Sequence, residues 1–137
     1  MPLNDRTRLI ATLCLWSGRI LALGLGLFWL TFFVEHLGEW FLQPGQPWPP
    51  ARVVVAVGFH GLMILGLAVG LVRPVPGVAL LALSTAGFLA ATGLWRVPWI
   101  PVVNAVPAIL LLLGDVLPRQ KPQSLPNPLT APDPGTR

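Results

Sequence analysis

Three side chains able to move a proton or hold a cation crowd into the run Phe32-Phe33-Val34-Glu35-His36-Leu37-Gly38-Glu39-Trp40. Glu35 and Glu39 are four residues apart, so a helix stacks them on one face, and His36 follows about 100° around from Glu35 on the same arc. A second imidazole, His60, lies in the next apolar stretch. Carboxylate and imidazole together suit divalent zinc, manganese or iron, and they equally suit proton or substrate handling. The chain has no His-Glu-x-x-His, no Glu-x-x-His pair and no second helix with a matching carboxylate, so a ferritin-like di-iron arrangement is not supported. It also has no Ser-His-Asp set, phosphate loop or dinucleotide fingerprint, and the expectation is a noncatalytic protein with no cofactor and no resident metal. The same polar residues can instead be structural. Glu39 paired to Arg96, with the histidines hydrogen-bonded between helices, would fix the register of a bundle. The spacing leaves both readings open.

The elements that must position these groups are apolar runs of membrane-spanning length. Val53 to Val72 is 20 residues between Arg52 and Arg73, Pro74 to Trp95 is 22 between Arg73 and Arg96, and Val97 to Gly114 is 18 between Arg96 and Asp115. Ile20 to Val34 adds 15 residues and reaches span length when extended to Leu42. A helix rises about 1.5 Å per residue and the hydrocarbon core is about 30 Å thick, so roughly 20 apolar residues make a span. The expected fold is all-α: an integral membrane four-helix bundle with helices at about 20–42, 52–72, 77–95 and 101–116. Residues 1–19 form a lead-in, with Leu9 to Gly18 a helical stretch along the membrane surface, and the apolar run is too long for a signal peptide.

Composition agrees. Hydrophobic residues are 54% of the 137 and charged residues 10%, more apolar surface than a soluble domain of this size can hide from water. The net charge of +4 and the pI near 11.2 do not point to nucleic acid, because the basic residues sit mostly at helix ends. One cysteine, Cys14, excludes an intramolecular disulfide.

Orientation follows from the placement of Lys and Arg. Arg6, Arg8, Arg19, Arg73, Arg119, Lys121 and Arg137 fall on one side, and only Arg52 and Arg96 on the other. The positive-inside rule then puts both termini in the cytoplasm, in a multi-pass protein of the cell (inner) membrane. In that frame Glu35, His36, Glu39, His60, Arg96 and Asn104 form a polar cluster confined to the outer half, where an unpaired carboxylate or imidazole is costly. Trp40, Trp48, Trp95 and Trp99 mark the outer interface. Four prolines between Gln43 and Pro50 and the Arg73-Pro74-Val75-Pro76-Gly77 segment make the turns, and Pro107 predicts a kink or a lost backbone hydrogen bond in helix 4. Residues 117–137 carry six prolines without hydrophobic periodicity, which predicts a disordered cytoplasmic tail.

Gly66-x-x-x-Gly70 in helix 2 and Gly87-x-x-x-Ala91 in helix 3 are small-residue pairs at the spacing that lets helices pack closely in lipid. Trp16-x-x-Arg19-Ile20-Leu21, the aromatic Phe28 to Phe33 leading to Glu35, the segment Gly61 to Arg73, and Pro74-Val75-Pro76-Gly77 together resemble a group of small prokaryotic four-helix membrane proteins without an assigned activity. That resemblance implies topology alone. The chain also invites comparison with the small multidrug resistance transporters, four-helix proteins with a glutamate in helix 1. Here the glutamates stand at the outer end of the span, and the basic bias is strong. The expected partners are the lipid bilayer, a larger membrane complex or further copies of the chain. The expected role is that of a structural or accessory subunit, and the alternative is a small oligomeric transporter or proton-coupled carrier with Glu35 as its titrating group.

Overall fold

The computed structural model describes residues 3–45 and 47–117, and every regular element among them is helical. In chain order these are α1 (Leu3–Phe41), α2 (Ala51–Val72), α3 (Pro74–Thr92), a 3-10 turn at Leu94–Arg96, and α4 (Trp99–Val116). All four α-helices are long and apolar enough to cross a membrane. The proline-rich tail expected over 117–137 lies, from residue 118 on, outside the described residues.

One continuous helix covers both the expected lead-in and the expected span 20–42. α1 runs 39 residues and contains no proline. Its early turns are held by α4. A Cβ on Gly18 would meet the Leu111 backbone nitrogen at 2.9 Å, and one on Gly114 would meet Leu15 at 2.7 Å. Residues 15–18 therefore pack against the last turns of α4. α3 starts at Pro74, three residues before the expected 77, because prolines at the first and third helical positions sit where backbone N–H groups lack intrahelical partners anyway. It stops at Thr92, short of the expected 95, where Gly93 takes a left-handed conformation (φ 74°) and returns its N–H to Leu89 O.

The helices run alternately up and down, with α1 and α3 each packed against α2 and α4 and not against one another. The core is a column of Ala22, Trp29, Met63, Leu67, Leu81, Leu89, Ile100 and Leu111. Ile20, Leu23, Leu27, Leu83 and Ile109 stand exposed on the outside, an apolar surface larger than water-facing monomers present.

The α2–α3 seam is the closest. Arg73 alone separates the two helices, so they begin in contact, and a Cβ on Gly77 would run into the backbone of Gly70. One on Gly66 would sit 2.7 Å from the Leu81 nitrogen. Backbones this near gain dispersion contacts that any side chain would forbid. The α3–α4 seam is looser and leaves a groove of about 440 Å³ whose lining mixes Ala82, Ala86 and Ala105 with larger residues such as Leu89, Trp95 and Ile109. Pro107, buried within α4, cannot donate to the Val103 carbonyl, yet the helix continues through it.

Candidate functional site

Asn104 is the centre of the polar interior. It projects from the second turn of α4 and is 3% exposed. Its Oδ1 accepts from Trp29 Nε1 of α1 at 3.1 Å, and its Nδ2 donates to Thr85 Oγ1 of α3 at 3.2 Å. One amide thus ties three helices, and both of its partners are buried. In an apolar interior a lone amide would carry an uncompensated desolvation cost, so this pairing selects one register for α1, α3 and α4. The other interior hydroxyl, Ser84, is satisfied within its own helix by the Leu80 carbonyl at 2.7 Å.

His60 completes the set from α2. It is 4% exposed and enclosed by aromatic rings: Trp29 at 5.4 Å, Phe33 and Phe88 at 5.6 Å, and His36 at 6.1 Å between ring centres. Trp29 in turn stacks on Trp99 at 6.2 Å with the planes only 5° apart. His60 Nε2 has no hydrogen-bond partner. His36, at the exposed rim above it, donates from Nδ1 to the Phe32 carbonyl at 2.7 Å, which leaves its Nε2 as the acceptor. The result is a packed aromatic cluster with one imidazole, His36, at its exposed rim and one, His60, buried within it.

The remaining predicted residues stay apart from it. Glu35 and Glu39 are both exposed, on the stripe of α1 that continues Phe28 rather than on the inward stripe of Trp29, Phe33 and His36. The four-residue ligand set is not assembled: among the described residues, no three His, Cys, Asp or Glu side chains gather as a metal ion would need. Among the described residues no ion pair joins Glu39 to Arg96, the pairing that the structural reading invoked. Arg96 is exposed in the 3-10 turn, and Glu39 belongs to the outward face of α1. The arginine that engages a helix end is Arg52, whose Nε donates to the Ala91 carbonyl at 2.6 Å and whose Nη2 donates to the Thr92 carbonyl at 2.7 Å. Those carbonyls belong to the last turn of α3, where intrahelical donors have run out and the helix dipole favours a cation.

Of the packing residues, Gly66 faces α3, Gly70 offers its backbone to Gly77 of α3 while a Cβ on it would meet Leu111 of α4 at 3.3 Å, and Gly87 lies against the Phe59 ring of α2. Ala91 supplies one of the carbonyls held by Arg52. Trp29, Thr85 and Arg52 are the residues that sequence reasoning missed. A tryptophan in mid-span, away from either aromatic belt, carries an indole N–H that needs a partner, and that was the available signal for Trp29. Thr85 and Arg52 offered none, since a threonine in an apolar helix usually satisfies itself and an arginine at a helix start reads as a topology signal. No family model matches the chain, and no curated protein or solved structure matches it either.

Proposed function

We propose that this chain is a multi-pass protein of the cell membrane, with both termini on the cytoplasmic side, serving as a noncatalytic structural or accessory subunit. The observation that carries this reading is the Trp29–Asn104–Thr85 chain, which uses the interior polar groups to fix three helices to one another. Polar groups committed to register are what a scaffold needs. The apolar α3–α4 groove adds support, because an open cleft on a bundle of apolar helices is a place where a neighbouring transmembrane helix can pack.

A second reading, an oligomeric carrier using Glu35, is favoured by one feature. Glu35 lies on the exposed stripe of α1 above a groove of about 600 Å³ between α1 and α4, where a second copy would face it. Purification of the whole protein in mild detergent, followed by mass analysis, separates the two. Co-purification in a larger membrane complex is the expected result. A homo-oligomer of fixed stoichiometry, with pH-dependent flux lost in Glu35→Gln, would replace the accessory reading by the carrier.

A further inference from the structure

Two exposed charges near one end of the bundle, Glu35 and Arg96, have no partner among the described residues. Glu35 stands six residues before the end of α1 at Phe41, about 9 Å below it. In the membrane proposed above that depth falls within hydrocarbon, and the stem of a glutamate is too short to carry its carboxylate out. Arg96 is exposed in the Leu94–Arg96 turn that joins α3 to α4.

The two charges stand at one height on opposite flanks of α4. Gly18 of α1 lies against Leu111 of α4 and Gly114 against Leu15. The two helices are antiparallel, so the same register carried along the bundle brings Glu35 level with the Leu94–Arg96 turn. That turn packs on α3 and does not touch α1. Between the charges runs an exposed apolar ridge of α4, Val102, Val106, Ile109 and Leu113, at the three- and four-residue steps of a single helix stripe. A groove follows each flank of the ridge. Val106 borders the one between α1 and α4, to which Phe28 contributes from the stripe of Glu35. Ile109 borders the one between α3 and α4, to which Trp95 contributes, the residue before Arg96. The ridge thus holds the carboxylate and the guanidinium of one molecule apart.

We infer that this face is closed by a second copy of the chain, in an isologous dimer whose α4 ridges meet and in which each Glu35 pairs with Arg96 of the partner subunit. A twofold axis along the membrane normal keeps every residue at its height and exchanges the flanks. Because α1 and α3 lie on opposite sides of α4 and do not touch one another, the α1 edge of one copy then meets the α3 edge of the other. Each ridge is offered a groove of the other copy, which is how helices interlock, and the two ion pairs form where little water competes for them. A foreign helix would have to bring a cation to the α1 flank and an anion to the α3 flank at the same height. A second copy already carries both. The inference rests on the membrane reading above and names one partner for it.

The test combines cysteine cross-linking in native membranes with mass measurement of the full-length protein in mild detergent. On a Cys14→Ser background, Val106→Cys on the ridge should join two copies under mild oxidation, and Leu83→Cys, exposed on α3 outside both grooves, should not. Glu35→Arg and Arg96→Glu should each weaken the dimer about tenfold, and the two reversals combined in one chain should restore it, which damage to the fold would not. A wild type that is monomeric and gives no cross-link at Val106, or a double reversal as weak as the singles, overturns the dimer. A cross-link from Val106 to a different protein in place of a second copy overturns it as well and assigns the face to that protein. Should a reversed-charge chain fail to fold, Glu35→Gln and Arg96→Gln take its place. Each should then weaken the dimer, and together no more than either alone; full additivity overturns the pair. A dimer without pH-dependent flux leaves the accessory-subunit reading standing, and a monomer found in a larger membrane complex upholds that reading while sinking this one, so the two failures are distinguishable.

Discussion

Asn104 makes two hydrogen bonds across helices, and its removal does more than delete them. In Asn104→Leu the Trp29 indole N–H stays buried with nothing to meet. Hydrogen bonds between membrane helices average about 0.6 kcal/mol and seldom exceed about 1.7, so two lost bonds with one orphaned donor should cost about 2 kcal/mol in detergent unfolding. Thr85→Val loses only the outer link, and the double variant should cost less than the sum of the singles, since Thr85 has no partner left to lose. Strict additivity would show that the amide and the hydroxyl act independently. Glu39→Gln and Arg96→Gln, by contrast, should be additive to within about 0.5 kcal/mol, because no ion pair joins those side chains. Arg52→Gln should destabilise by about 1 kcal/mol through the freed Ala91 and Thr92 carbonyls. An Arg52→Gln variant as stable as wild type would remove the proposed hold on the end of α3.

At the scale of elements, the α2–α3 seam depends on atoms that are missing. Gly77→Ala sets a methyl group into the Gly70 backbone and should cost about 2–3 kcal/mol, because two helices joined by one residue cannot slide apart to accept it. Gly58→Ala, on the same α2 but with nothing near the added carbon, should be neutral or stabilise by up to about 1 kcal/mol through helix propensity. Thermal unfolding of the two variants side by side makes the comparison, and equal effects would deny the close approach. The contrast also marks how far the sequence could be read. Length and hydropathy located all four helices, because those quantities are local, and Pro74 and Gly93 explain the bounds of α3 in the same local way. The polar cluster was legible as a list and not as an arrangement. Which arc of α1 faces inward depends on how α2 and α4 pack against it, and one helical step of about 100° separates the inward His36 from the outward Glu35. Gly77 read as a turn residue for a similar reason: its role is set by Gly70, which only the folded hairpin brings opposite.

For the whole molecule, the topology proposed above has a direct check. Single cysteines at Gln46 and Gln123, on a Cys14-free background, should label oppositely with an impermeant reagent applied to intact cells, with position 46 reactive from outside. Reaction at position 123 from outside would invert the orientation.

α1 carries a mechanical consequence. At about 1.5 Å per residue its 39 residues make a rod of about 58 Å, against about 29 Å for the 19 residues of α3. A bilayer matched to α3 cannot submerge such a rod. It would have to lean nearly 60° from the normal, well beyond the tilts at which transmembrane helices are found. In the membrane proposed above, some of α1 would stand clear of the hydrocarbon as a handle. No proline interrupts that handle. A partner that gripped the turn around Asp5 and Arg8 would hold the same continuous helix that carries Trp29, the indole on which the interior is assembled.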